Sequence, residues 1–249
     1  MLYKKALMLP LLMVLFFPLS SLYAEQLDLI ALLKSTDRSR GNLEGLVWSV
    51  ETQTQEQGEA GQTLKFKLFT KNANSLVRFT SPARMRGQMM LMRDRNMWFI
   101  RPGLRKPVAI SPRQRLTGAA SNGDIASTNY AGDYAAVLLG EERIAGKPCY
   151  ILELTANNSK VSYDKIKYWI SRSDGLGRRA DFYTVSGKLF KKATFEYNNT
   201  INKGSRTIPF VSKMVISDTT SEIQTTLFYS DVAVQDIANS TFNLNLLIR

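Results

Sequence analysis

Apolar positions recur along this chain with two periods, and the change from one to the other marks its organisation. Near residue 30, Leu29, Ile30 and Leu33 follow helical spacing with Leu32 beside them. That pattern predicts an amphipathic helix over residues 26–38, with Asp28 able to start it and Gly41 able to follow its end. From residue 46 the period drops to two. Leu46, Trp48 and Val50 alternate with polar neighbours, as do Leu64, Phe66 and Leu68 against Lys65 and Lys67. Further strands are predicted over 76–80, 89–92, 97–100, 149–155, 166–171, 179–185, 189–197, 210–217 and 223–229, with a tail containing Val232, Val234 and Phe242. The breaks between them are short and polar, and Ser186-Gly187 is a two-residue hairpin signal. Residues 117–133, rich in Gly, Ala, Ser, Asn and Asp, show no period and read as a long loop, either a binding loop or plain surface chain. Residues 134–139 read as a short helical or buried segment, and 198–205 as a polar loop. The sum is one large antiparallel sheet that must curl, with a few helices, an α+β chain that is mainly β.

The first residues change the expected compartment. Lys4 and Lys5 precede an apolar run broken by Pro10 and Pro18, and Ser20, Ser21 and Ala24 supply small residues before Glu25. This is the layout of a cleaved secretory signal peptide, with cleavage near Ala24. The run is short for a membrane span, and no later segment is long and apolar enough to be one. The expected organisation is a leader over 1–24 and a single domain over 25–249.

Charge and rare residues narrow the chemistry. The 249 residues carry 33 Lys+Arg against 21 Asp+Glu, a net charge of +12. For an exported protein this favours anionic lipid, cell-surface polymer or an acidic partner over nucleic acid, unless the basic surface is only solvated. A chain with one cysteine, Cys149, forms no internal disulfide, and its apolar strand context suggests a buried, inert thiol. The absence of histidine removes a Ser-His-Asp triad, a Cys-His pair and His-ligated zinc. No phosphate loop or calcium loop is present, and Glu141-Glu142 is the one adjacent acidic pair, on opposite faces of any strand. The expectation is a non-enzyme with no cofactor and no metal.

The stretch 78–115 combines these features. Two apolar runs, Met89 to Met92 and Met97 to Ile100, flank the polar break Arg93-Asp94-Arg95-Asn96, and a loop rich in proline, glycine and cations follows. It reads either as an ordinary core hairpin or as part of a site for a greasy ligand with a polar or anionic end.

Several residues here and beyond carry a resemblance. They are Arg78-Phe79, Pro82, Gly87, Met90-Leu91, Asp94, Met97-Trp98-Phe99-Ile100-Arg101-Pro102-Gly103-Leu104-Arg105-Lys106 and Ile110-Ser111. In the same order follow Gly146, Tyr150, Leu152-Glu153-Leu154, Tyr168-Trp169-Ile170, Ala180-Asp181-Phe182-Tyr183, Gly187 and Thr241-Phe242. The chain resembles the outer-membrane lipoprotein-sorting protein family, the LolA-like proteins of the bacterial periplasm. The resemblance implies an unclosed antiparallel half-barrel of LolA/LolB type with helices on its concave side. It also implies a periplasmic carrier that holds lipid or lipoprotein acyl chains in an apolar cavity and moves them toward the outer membrane. The alternative is an accessory protein of an envelope lipid-export complex. The implied partners are an inner-membrane transporter, an outer-membrane acceptor and a transient membrane surface, with the carrier itself a monomer and no nucleic acid involved. Hiding each methylene of an acyl chain contributes about 0.8 kcal/mol, so a cleft lined by flexible Met and aromatic side chains holds such a chain well. Alternating strand faces give the expected cavity lining as Leu64, Phe66, Leu68, Val77, Phe79, Met90, Met92, Trp98 and Ile100, against closed core as the other reading. Arg101, Arg105, Lys106, Arg113 and Arg115 are expected to dock a lipid headgroup or partner, against a soluble loop.

Overall fold

The computed structural model describes residues 27–103, 106–126 and 128–248. The period-two segments form strands. β1 (Leu46–Glu56) is followed by the two-residue β2 (Glu59–Ala60), β3 (Leu64–Lys71), β4 (Asn74–Ser81), β5 (Met89–Arg93), β6 (Asn96–Ile100) and β7 (Val108–Ile110). The middle of the chain supplies β8 (Arg115–Thr117), β9 (Ala120–Ser121), β10 (Tyr134–Ile144) and β11 (Lys147–Ala156). The last third supplies β12 (Lys165–Ser171), β13 (Gly177–Tyr183), β14 (Leu189–Glu196), β15 (Asn199–Lys203), β16 (Arg206–Phe210), β17 (Lys213–Asp218) and β18 (Ile223–Val234). The helices are α1 (Leu29–Arg38), α2 (Asn122–Ala126), α3 (Tyr130–Asp133) and α4 (Leu244–Leu247).

Fourteen strands join in one sheet, in the order β10-β11-β12-β13-β14-β17-β18-β1-β3-β4-β5-β6-β7, with β2 beside β1. The pairings along this order are antiparallel. The sheet is not closed, since β10 and β7 do not pair. Laid flat, so many strands at about 4.8 Å spacing would separate the two edges by roughly 60 Å. Instead Arg95, in the β5–β6 turn, meets Asp133, beside β10, at 3.0 Å. The sheet therefore curls until its ends nearly meet. One apolar cluster fills the inside, taking Met92 and Met97 from one end and Leu152 and Leu154 from the other.

α1 begins where the side chain of Asp28 accepts the Ala31 amide at 2.9 Å, which satisfies one of the open donors of the first turn. It lays Leu33, with Leu29 and Leu32 half-buried beside it, on the inner cluster. α2 and α3 lie on the same side and bury Ile125, Ala126 and Tyr130. Three local expectations are corrected. Residues 117–126 and 128–133 are not a loose loop but short elements with Ala119, Ala120 and Ala126 fully buried, because small side chains pack close beneath the sheet. Residues 134–139 are the first half of the long edge strand β10, and Val137, Leu138 and Leu139 are exposed there. Residues 198–205 begin a hairpin, β15 with β16, whose Ile201 is buried despite its polar neighbours.

The outer face of the sheet is also covered at one end. Ile237, Phe242, Leu244 and Leu247 of the tail pack on Val47, Leu76 and Leu91. α4 thus lies outside the curl, opposite the other three helices.

Candidate functional site

Cross-strand pairing defines which side chains share the inner face. Phe66 stands opposite Phe79, Leu68 opposite Val77, Val77 opposite Met90, Met90 opposite Phe99, and Met92 opposite Met97. Leu64, Phe66, Leu68, Val77, Phe79, Met90 and Met92 all belong to the inner cluster and are at most 2% exposed. Phe66 and Phe79 meet edge-to-face at 5.7 Å, and Phe79 meets Phe99 at 6.2 Å. Seven of the nine expected lining residues are therefore brought together on one surface, packed rather than open.

The other two are corrected. Trp98 pairs with Leu91 and Ile100 with Met89, on the outer face, where they pack with the C-terminal tail. Met97 and Phe99 take the inner positions of β6. The tail covers the outer face of β5 and β6, so the runs Met89 to Met92 and Met97 to Ile100 have no polar side from which to read phase.

The inner surface is roofed by α1, α2 and α3, and polar contacts tie the roof down. Asp37, buried at the end of α1, accepts the Tyr130 amide at 3.0 Å and the Ala131 amide at 2.9 Å, one on each carboxylate oxygen. Burial pushes its carboxyl up to about 6, against the pull of those two amides. Asn42 donates to Asn129 at 3.0 Å. Arg95 holds Asp133, whose carboxyl is also raised by burial. Tyr163 donates to Asp124 at 2.8 Å, and Arg113 grips Asp164 through two bonds of 2.6 and 2.7 Å.

Beneath the roof the room is small. A cavity of about 30 Å³ lies between Arg40, Met92, Asp124, Tyr130 and Tyr163. Two wider clefts open at its margins. One of about 580 Å³ is flanked by Tyr163, Tyr183, Val185 and Phe190, with Arg113 and Asp164 at its rim. The other, about 420 Å³, follows the seam where the sheet ends approach, between Met97, Trp98, Ile110 and Lys160.

The five cations expected to dock a headgroup or partner differ in their surroundings. Arg101 and Lys106 are exposed, and Arg105 lies outside the described residues. Arg113 is neutralised by Asp164, which lies below the usual carboxylate range because of that hydrogen-bonded pair. Arg115 is exposed on β8, near Lys191, whose amine is lowered chiefly by burial and donates to Ser121 at 2.9 Å.

Sequence reasoning missed the aromatic residues beneath the roof and the cation among them. Tyr130, Tyr134, Tyr163 and Tyr168 are buried, and Arg40 is only 8% exposed. Tyr130 meets Tyr134 and Tyr168 edge-on, each at 5.4 Å. Tyr168, opposite Leu152 on β12, had a readable strand phase. Arg40 had none, since a cation in the short link after a helix reads as solvated.

This architecture has close structural counterparts. The chain superposes on the LolA superfamily protein NE2245 from Nitrosomonas europaea with a TM-score of 0.78 and 32% identity, covering 87% of this chain and 97% of that one. A putative outer membrane lipoprotein-sorting protein domain from Vibrio parahaemolyticus gives 0.74 at 19% identity, covering 88% and 98%. A DUF1329 family protein from Desulfovibrio piger gives 0.74 at 22%, covering 88% and 97%. A model of an uncharacterized protein family matches residues 71–249. Among curated proteins none matches.

Proposed function

Because the chain belongs to the LolA superfamily, we propose that it is a periplasmic, non-enzymatic carrier that holds lipid or lipoprotein acyl chains on the inner face of its sheet. The leader ending near Ala24 would deliver it as a single domain from residue 25, and that junction lies outside the described residues. The observation that supports the reading best is the inner surface itself. One continuous apolar lining runs across the sheet, rich in Met and aromatic side chains, under a roof of short helices. Small-molecule pockets commonly enclose about 300–1,000 Å³, so the cavity of about 30 Å³ is too small for an acyl chain, and binding one requires the roof to move. Loading then lifts α1–α3 from the sheet, and the acyl chain replaces contacts that α2 makes with β4 and β5. Because ligand and roof compete for one surface, closing the roof expels the cargo, which gives release without hydrolysis or a cofactor.

The test is saturable binding by purified mature protein of N-phenyl-1-naphthylamine, a neutral fluorescent probe, together with native mass spectrometry of protein released from the periplasm. A stoichiometric probe signal that long-chain lipids displace is expected. A protein that binds no probe and carries no lipid is not a carrier.

A second reading, an accessory protein of an envelope export complex, is favoured by the edge strand β10. Val137, Leu138 and Leu139 are exposed by 60%, 42% and 51%, beside a strand edge that is unpaired among the described residues. Under that reading Val137→Lys with Leu139→Lys loses partner capture and keeps probe binding.

A further inference from the structure

Arg40 is a buried cation that forms no ion pair among the described residues. It follows α1, at the point where the chain turns under the roof, and its side chain enters the inner cluster rather than water. Phe195 lies 4.6 Å and Tyr130 5.3 Å from the guanidinium, ring centroid to carbon, so two aromatic faces stabilise its planar surfaces. The edge of the fork is less well served. Nη2 reaches only the Met214 sulfur at 3.8 Å, and Nη1 has no hydrogen-bond partner among the described residues. Asp37 is near enough to feel the charge, yet both its oxygens are committed to backbone amides of α3.

The surroundings repeat the pattern. The hydroxyls of Tyr168 and Tyr197 are buried and lack a well-formed hydrogen bond among the described residues, with only Thr36 and each other in loose reach, and both tyrosines lie within the electrostatic reach of Arg40. The Tyr168 hydroxyl fits only because residue 177 is glycine, since a Cβ there would stand 1.9 Å from it. A guanidinium edge and two phenols thus lie near one another in an apolar core, and among the described residues none of them has a well-formed bond to a carboxylate or a carbonyl. Native interiors rarely leave buried donors unpaired, and three in one place mark a site for an acceptor that arrives from outside. An oxyanion suits it best, since a carboxylate or phosphate matches the guanidinium fork and takes further hydroxyl donors.

We infer that Arg40, with the hydroxyls of Tyr168 and Tyr197, receives the acid group of an anionic single-chain amphiphile, a carboxylate or phosphate at the end of an acyl chain. Arg40 also walls the cavity that touches Met92, Tyr130 and Tyr163. With the acid group against Arg40, the chain runs along these side chains beneath the lifted roof. This rests on the carrier reading and adds to it a head-group selectivity.

The experiment is displacement of N-phenyl-1-naphthylamine from the mature protein by palmitate, hexadecyl phosphate, hexadecanol and inorganic phosphate. The parent is expected to release the probe at least tenfold more readily to palmitate or hexadecyl phosphate than to hexadecanol. The better of the two acids identifies the head group. Arg40→Met should bring acid and alcohol together, and Tyr168→Phe with Tyr197→Phe should narrow the preference at least threefold. The second variant removes only hydroxyls, so it decides the matter if Arg40→Met does not fold. Equal displacement by acid and alcohol in the parent overturns the inference and leaves the carrier intact, as does a preference that survives these variants. Arg40-dependent stabilisation by inorganic phosphate without displacement by either amphiphilic acid also overturns it, and assigns the site to a free anion. If the parent binds neither the probe nor any amphiphile, the carrier reading itself falls.

Discussion

Asp37 shows how one side chain ties pH to the roof. Its carboxyl moves from 3.8 to about 6, chiefly through burial, while the Tyr130 and Ala131 amides pull the other way. The native chain therefore keeps a proton that the unfolded chain gives up between about pH 4 and 6. The stabilisation from this group is complete below about pH 4 and is lost as pH rises through about 6. A shift of two units corresponds to about 3 kcal/mol at full burial. The difference in unfolding free energy between the parent and Asp37→Asn should fall by about that amount from pH 4 to pH 7. Denaturant unfolding across that range measures it, and a flat difference would mean that Asp37 titrates as in an open chain. At the same scale Cys149 is fully buried against Ile151 and Trp169, and burial pushes its thiol up, as its apolar strand context suggested.

At the scale of elements, the β5–β6 hairpin joins the two ends of the sheet. Asp94 and Arg95 turn the chain with φ of +51° and +63°, the left-handed pair that a two-residue hairpin of this hand needs. Neither residue is glycine, so the turn carries some backbone cost, and Arg95 offsets it by reaching Asp133. Arg95→Gly relaxes the turn and cuts that tie. Hydrogen exchange should then quicken about tenfold at the Tyr130 and Ala131 amides, equivalent to about 1.4 kcal/mol of easier opening. Amides in the central β1–β18 ladder should not change. A uniform change across the chain would show that α3 does not open separately from the sheet. The tail is the other decisive element. By covering the outer face it sends Trp98 and Ile100 outward, and it accounts for the match at Thr241-Phe242, since Phe242 is 3% exposed there.

At the scale of the whole molecule, a net charge of +12 meets a surface on which several cations are already paired. Arg101 and Lys106 are exposed next to β6 and β7. If they face anionic lipid during transfer, Arg101→Glu with Lys106→Glu should lower association with phosphatidylglycerol vesicles several-fold and flatten its salt dependence. The melting temperature should stay near that of the parent, because neither side chain is packed. Vesicle co-sedimentation at two ionic strengths measures this, and unchanged binding places the membrane contact elsewhere.

Local pattern alone determined a good deal. The period-two runs located most strands of the sheet, Asp28 and Gly41 marked the ends of α1, and Arg93 to Asn96 marked the central hairpin. Each of these depends on neighbours within a few residues, where backbone preference and one-sided burial act directly. Leu64, Phe66 and Leu68 could be assigned to the inner face because lysines occupy the other side of β3. Tertiary structure decided whatever depends on residues far apart. The phase of β6 follows from a tail more than 130 residues later, which buries the face that would otherwise have turned polar. The order in residues 117–133 comes from burial beneath the curled sheet, and small side chains carry no periodic signal of it. Arg40 became a buried cation only when α1, β14 and β17 closed around it, bringing Phe195 and Met214 to a residue that its own sequence neighbourhood left in water.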